Sequence, residues 1–139
     1  VSTLISDSGI TRYRITTPQW QVFDKATPQF WNFPKGVYLE KFDPDFTVDA
    51  SLEADSAYYN TDDQIWQLFG HVHALNLEGE QFDTPYLEWS QKTEQIYSDS
   101  VITITKESSI IHGVGFRSNQ EMSKYTILHP TGVIPIKDE

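Results

Sequence analysis

Leu52-Glu53-Ala54-Asp55-Ser56-Ala57-Tyr58-Tyr59-Asn60, Ile65-Trp66-Gln67-Leu68-Phe69-Gly70-His71-Val72 and Gly79-Glu80-Gln81-Phe82-Asp83-Thr84-Pro85-Tyr86-Leu87-Glu88-Trp89 are three strand-like segments in succession. A polar turn, Asn60-Thr61-Asp62-Asp63, separates the first two, and a glycine turn precedes the third. Successive side chains of a strand point to opposite faces, so Leu52, Ala54, Ser56 and Tyr58 share one side while Glu53 and Asp55 take the other. The alternation extends upstream: Phe46, Val48, Ala50, Leu52 and Ala54 alternate without a break with Thr47, Asp49, Ser51, Glu53 and Asp55. That pattern predicts one long strand with a dry face and a wet face. Gly70 is expected to mark a bulge or a close backbone approach. The change of phase from Val72 and Ala74 to Leu75 and Leu77 suggests a further bulge.

Upstream, Thr3 to Ile5 and Thr11 to Thr17 read as a hairpin around Asp7-Ser8-Gly9, closed by Pro18. Gln19 to Lys25 and Gly36 to Phe42 are further candidate strands. Downstream the three-strand unit partly recurs as Ile96-Tyr97, Val101 to Thr105, Ile110-Ile111, Gly113-Val114-Gly115-Phe116 and Tyr125 to Leu128. The match of Gly113–Phe116 to Gly79–Phe82 and the 29-residue step from Val72 to Val101 suggest stacked units sharing one core. Pro130 and Pro135 are expected to end regular structure. The reading is therefore an all-β chain with a single domain over 1–129 and a loosely held tail over 130–139.

Composition narrows the function classes. At 139 residues the chain can bury about two thirds of its unfolded surface in one core. Twenty acidic against ten basic residues give a net charge of −10, which repels nucleic acid and disfavours it as a partner. Without cysteine there is no disulfide framework and no thiol chemistry. No apolar run reaches the roughly 20 residues of a membrane helix. His71 and His73 lie on one strand face, but a metal needs three or four converging ligands, so the pair reads as solvent-facing and no metal or cofactor is expected. Asp43/Asp45 and Asp62/Asp63 suit turns, where Asp bonds nearby backbone N–H groups. Glu53/Asp55 sit on a wet face. No Gly-x-Ser-x-Gly step is present, and Gly113-Val114-Gly115 lacks the following helix that a phosphate site requires. The chain reads as a non-enzyme.

Taken in order, the Ala54-Asp55 pair, the polar turn, the Leu68-Phe69-Gly70-His71-Val72 step, Gly79 followed by Phe82 and the final aromatic strand resemble the lipopolysaccharide-transport β-jellyroll family. This is the LptA/LptC/OstA-like group, and the likeness is to its periplasmic LptC members. On the flanks, Ile10-Thr11-Arg12-Tyr13-Arg14-Ile15 and Phe30-Trp31-Asn32-Phe33-Pro34 resemble the family's first strand and its aromatic-then-Pro step. Ile111-His112-Gly113-Val114-Gly115-Phe116 resembles its C-terminal Gly strand.

The resemblance implies a twisted antiparallel two-sheet β-jellyroll, open at its ends. It implies a periplasmic carrier that receives lipopolysaccharide from an inner-membrane ABC transporter at its N-terminal edge. That carrier passes the lipid to an LptA-like bridge protein at its C-terminal edge. It further implies an N-terminal transmembrane anchor absent from this chain, which fits the abrupt, strand-like start at Val1-Ser2-Thr3-Leu4. The residues themselves point to an apolar groove between sheets. Ile15, Phe30, Trp31, Phe46, Val48, Ala50, Leu52, Ala54, Val72 and Phe82 would line it, and each acyl methylene buried there would contribute about 0.8 kcal/mol. Gly113, Tyr125 and Ile127 would form the partner edge, since the last strand is unpaired on one side. The alternative is a carbohydrate-binding β-sandwich, with exposed aromatics stacking on sugar rings and a filled interior.

Overall fold

The computed structural model describes residues 1–7 and 11–135. The Ser8-Gly9 part of the expected first turn, Ile10 and residues 136–139 lie outside the described residues. The strands are β1 (Ser2–Asp7), β2 (Thr11–Thr16), β3 (Gln21–Phe23), β4 (Phe30–Phe33), β5 (Val37–Phe42) and β6 (Val48–Ala54). They continue as β7 (Ser56–Asn60), β8 (Ile65–Asn76), β9 (Gln81–Ser90), β10 (Gln95–Thr105), β11 (Ser109–Asn119) and β12 (Tyr125–Pro135). Every pairing is antiparallel, in the order β1-β2-β5-β6-β8-β9-β10-β11-β12, with a branch β3-β4-β7 that also joins β8.

β8 is the hub. Its first half, Ile65 to Phe69, pairs with β7, and its second half, His73 to Asn76, pairs with β6 on the same edge. Asp55 sits between β6 and β7, and its N–H donates to the Gly70 carbonyl at 2.9 Å. Opposite it the β8–β9 register slips between Phe69 and Val72, leaving Gly70 (φ +78°) and His71 (φ +45°) as the bulge. Further along, β10 slips between Ser98 and Val101, and Gly115 of β11, at φ +85°, faces that slip. A single line of irregular positions therefore crosses β8 to β11.

At that line the strands turn back on themselves. A straight strand of 11 residues would hold its ends about 35 Å apart. Yet Asn76, at the far end of β8, donates from Nδ2 to the carbonyl of Met122 beyond the near end of β11, at 2.9 Å. Phe82 likewise packs on Phe116 and Tyr125, with ring centroids 5.4 and 5.2 Å apart. The result is two facing layers. One holds β1, β2, β5, β6 and the distal halves of the long strands, and the other holds β3, β4, β7 and the proximal halves. Because β1 and β12 each pair on one side only, the sheet stays open, and the fold is the expected antiparallel β-jellyroll.

Between the layers lies an aromatic and aliphatic core. Tyr13, Phe33, Trp66, Leu68, Phe82, Leu87, Trp89, Ile96, Ile104 and Phe116 are buried. Tyr13 meets Trp66 and Trp89 edge-on at 6.2 and 5.5 Å, contacts worth about 0.5–1.5 kcal/mol each beyond the area they bury. Thr84 donates from Oγ1 to the Val101 carbonyl at 2.7 Å, giving a partner to a group that the β10 bulge removes from the ladder.

Several expectations are corrected. Val72 to Leu75 keeps an even register with Thr84 to Gln81, so no second bulge occurs; Leu75 and Leu77 face outward and Asn76 is the buried residue. Phe46 is not on the strand: it sits in the β5–β6 turn at φ +60°, exposed, beneath the Arg12 guanidinium at 4.6 Å. The structural repeat is 30 residues, not 29. Trp66, Leu68, Val72 and Ala74 correspond to Ile96, Ser98, Ile102 and Ile104, all buried, while Val101 points outward. Gly79 lies in a turn and Gly113 inside β11, so those two glycine segments are not equivalent. Finally, β12 runs through Pro130 to Pro135, with the extra residue Thr131 absorbed by a slip between His112 and Gly113, so residues 130–135 are a paired strand, not a loose tail.

A Cβ at Gly70 would stand 2.8 Å from Asp55 Oδ2, and the left-handed backbone there strains any L side chain. Gly132, with open space around it, is the control. Gly70→Ala is expected to lower unfolding stability by about 1–2 kcal/mol in urea titrations, with Gly132→Ala near neutral. Equal effects would remove the bend from the account of stability.

Candidate functional site

The register builds a track that no single segment shows. Ile15 pairs with Leu39, Leu39 with Leu52, Leu52 with Ala74, Ala74 with Phe82, Phe82 with Ile104, and Ile104 with Ile111. All face the interior, and the first six are buried. Strands lie about 4.8 Å apart, so this apolar row runs roughly 30 Å across the layer, from beside β1 to beside β12. Ile111 then pairs with Val133 of the edge strand.

Of the sequence-predicted groove residues, Ile15, Ala50, Leu52, Val72 and Phe82 are buried in this interior. Val48 is half-buried, and Trp31 and Ala54 are half-buried against the core, Trp31 tilted on Tyr59 at 4.8 Å. Phe30 is elsewhere. It stacks between Phe23 and Tyr58 on the outer surface, because Trp31 and Phe33 take the inward positions of β4. Phe46 is also outside the groove. Leu39, Ala74, Ile104 and Ile111 belong to the row and were missed. Their signal is pairing register, which alternation within one strand does not contain.

The space between the layers is filled by the protein's own side chains. A void of about 10 Å³, room for about one water, lies among Leu39, Lys41, Ala50, Leu52, Trp89 and Gln120. Lys41 stands at its mouth. A slip between Lys41 and Phe42 makes Asp49 a bulge residue, so its carboxylate leaves the expected wet face and accepts from Lys41 Nζ at 2.9 Å. Burial raises the Asp49 pKa above the ordinary carboxylate range, against the opposing Lys41 hydrogen bond.

The gap between the layer tips is closed by the β11–β12 turn. Glu121 pairs with Lys41 at 3.3 Å, and Trp89 Nε1 donates to Gln120 Oε1 at 3.3 Å. Asn76 Nδ2 donates to both the Met122 carbonyl and Glu80 Oε1, at 2.9 and 2.8 Å. The Tyr125 hydroxyl donates to Glu80 Oε2 at 2.8 Å, and Lys106 Nζ lies 3.5 Å from the same oxygen. Burial pushes the Glu80 pKa up, but hydrogen bonds from Asn76 and Tyr125 and the charge of Lys106 outweigh it, and the net shift is downward. Burial lifts the Tyr125 phenol, which stays neutral and able to donate.

On the outside, His71 and His73 take separate carboxylates, Asp55 at 2.6 Å and Asp83 at 2.7 Å. On β11, Gly113 is buried. A Cβ there would overlap Ile127 Cγ2 and approach the His129 carbonyl to 3.0 Å, so glycine is what lets β12 lie close at the bend. Ile127 and Tyr125 pack on the core, whereas β12 from Leu128 onward is exposed, with Val133 and Ile134 bare.

An open, two-layer antiparallel β-jellyroll with a continuous apolar interior and two edge strands, each paired on one side, is the class of protein these features define. The family model for lipopolysaccharide-assembly, LptC-related proteins matches residues 1–133, and the chain belongs to that family. Membership gives it a role in lipopolysaccharide transport, in a family of transport components rather than enzymes. No curated protein matches the chain. No helix among the described residues is long and apolar enough to cross a membrane.

Two outcomes test this geometry. Gly113→Asp should cost about 1–3 kcal/mol, the penalty for overfilling a packed site. It should speed amide exchange across residues 125–135 while leaving β8 protected; uniform loss of protection would make Gly113 a general core position. Glu80, with its folded pKa lowered, contributes stability that is present above the unfolded value and lost as pH falls through the folded one. Glu80→Gln should therefore be less stable than the native chain at neutral pH, with the gap closing in acid below the ordinary carboxylate range. A pH-independent gap in urea titrations would contradict this.

Proposed function

We propose that the chain is a periplasmic lipopolysaccharide carrier, held at the inner membrane by an N-terminal helix outside these 139 residues. It accepts lipid from the inner-membrane ABC transporter at the β1 edge and passes it to an LptA-like bridge protein at the β12 edge. The observation that carries this reading is the apolar row from Ile15 to Ile111, which runs perpendicular to the strands from one open edge toward the other. Acyl chains lying along it exchange apolar contacts strand by strand, and the sugar stays in water. The protein supplies no chemistry; energy comes from the partner ATPase. Unpaired main-chain groups on β1 and β12 offer sites for strand addition by similar jellyrolls, and Leu4, Val133 and Ile134 supply exposed apolar surface beside them.

Photo-reactive side chains at Ala50 and Leu52 should crosslink lipopolysaccharide, and those at the outward Ser51 and Glu53 should not; equal labelling would end the groove reading. For the bridge contact, removing residues from Lys124 onward would also remove β12 and its core contacts, so paired substitutions are the cleaner probe. Val133→Asp with Ile134→Asp should keep the fold and lose capture of the bridge protein in a pull-down. Undiminished capture would place the junction elsewhere.

A second reading, oligosaccharide binding, rests on a different row. Gln21, Asn32, Tyr58, Gln67, Glu88, Tyr97 and Arg117 are successive cross-strand partners on the outer face of the other layer. Amides, carboxylate and aromatic rings in one line suit sugar hydroxyls and ring faces. Trp66 and Trp89 are buried and Trp20 and Trp31 half-buried, so tyrosine fluorescence from Tyr58 and Tyr97 is the signal to follow during oligosaccharide titration. Co-purified acyl chains without such a response favour the carrier.

A further inference from the structure

Met122 combines two features that rarely occur together. It lies in a turn between two strands, at φ +57°, yet its side chain is fully buried and belongs to the core cluster. Turns ordinarily run over the surface because their backbone groups need water or partners. Here the turn has been drawn between the layer tips, where Lys41, Asn76 and Glu80 of the opposite layer and Trp89 of its own layer give its inward groups specific partners. Glu121 meets Lys41, Gln120 accepts from Trp89, the Met122 carbonyl accepts from Asn76, and Tyr125 donates to Glu80. Beneath it, the small void between the layers touches Gln120 itself.

The bonds are of a kind that can be exchanged for water. The Asn76–Met122 and Trp89–Gln120 bonds are buried, but those of Glu121 and Glu80 are at the rim, where Glu121, Glu80 and Lys106 keep solvent access. Methionine is flexible and unbranched, so it fills an irregular apolar space without demanding a fixed shape, and its thioether chain is close to an alkyl chain in bulk and polarity. The other turns at the same end differ. Asp62 and Asp63, and Lys92 to Glu94, are exposed, and Lys92 donates to the Asp62 carbonyl of the neighbouring turn while the Asp63 N–H donates to Asn60. Among the described residues it is the β11–β12 turn that staples the two tips, and it lies next to the edge strand from which cargo would leave.

We propose that the Gln120–Tyr125 turn is a displaceable plug: Met122 occupies the interior in place of an acyl chain, and the Asn76, Glu80 and Lys41 contacts latch it until cargo arrives. This rests on the acyl-chain reading of the interior. Loading swings the turn outward, replaces Met122 with alkyl carbon, and leaves the latch groups facing water. Unloading reverses it, so the empty carrier never exposes its apolar row. The latch residues are positioning residues that act through the turn.

Because Met122 is the single methionine of the chain, its oxidation reports opening directly. Peroxide oxidation, followed by intact-mass spectrometry, is compared in the native chain, in Tyr125→Phe with Glu121→Gln, and in Leu68→Ala, which loosens the core away from the seam. The latch variant should oxidise roughly tenfold faster or more, from the loss of two seam contacts, and Leu68→Ala much less for an equal or larger loss of stability. Uptake of parinaric acid, a fluorescent fatty acid, should accelerate by a similar factor in the latch variant. Oxidation at the native rate, or a rise no greater than that of Leu68→Ala, overturns the plug. Faster oxidation with uptake at the native rate overturns its gating role while leaving the groove reading intact. Faster oxidation with no uptake in any variant, and no crosslink at Leu52, overturns the acyl-chain reading and the plug's cargo with it.

Discussion

The line of backbone irregularity through Gly70–His71, Asp99–Ser100 and Gly115 is the constraint on which the rest depends. An extended sheet of this length would expose one apolar face along its whole span. By breaking each long strand near its middle, the chain folds that face onto itself, and one sheet becomes both walls of its own core. Glycine at positive φ and bulges that add one residue are the local means, since a regular ladder resists so sharp a turn. Thr84 shows what accompanies such a break: the carbonyl displaced at Val101 needs a buried donor, and its hydroxyl supplies one.

Once the sheet is folded, its two walls are held together unequally. Around the β3–β4–β7 branch, tilted and edge-on aromatics about Trp66 and Tyr13 make a dry, closely packed block. At the tips the walls meet through the buried Asn76–Met122 bond and through the Lys41–Glu121 and Tyr125–Glu80 pairs at partly solvated positions, where each contact contributes little against water. This gradient matters for a lipid-handling protein. On the proposed carrier reading, a core that admits and releases alkyl chains needs one face that parts without unfolding the other, and the polar seam around Lys41, Glu80 and Tyr125 is the side suited to it.

The edges follow from the same geometry. A sheet folded over but not closed leaves β1 and β12 each with a free side, ordinarily a hazard for aggregation. In a family built around lipopolysaccharide transport, open edges at opposite ends of one apolar row suit end-to-end addition of like modules. The acidic surface, with a net charge of −10, adds repulsion against unspecific association.

Strand type, antiparallel character and the bulge at Gly70 were legible in the sequence. Alternation over Val48 to Ala54 and glycine at 70 are local signals, written in side-chain size and polarity, and the order of these segments along the chain was enough to indicate the family. What alternation could not supply is which residue opposes which. Phe30 reads as a groove aromatic until β4 pairs with β7 and turns it outward; Val101 reads as the repeat of Val72 until the β10 bulge shifts it by one. Asp49 and Met122 are the plainest cases. A carboxylate in a wet phase became a half-buried partner of Lys41 because a register slip rotated it, and a methionine in a polar turn became core because the folded sheet brought that turn beneath the opposite wall. Periodicity is a property of one strand, whereas register and the meeting of distant tips exist only after the whole sheet has closed on itself.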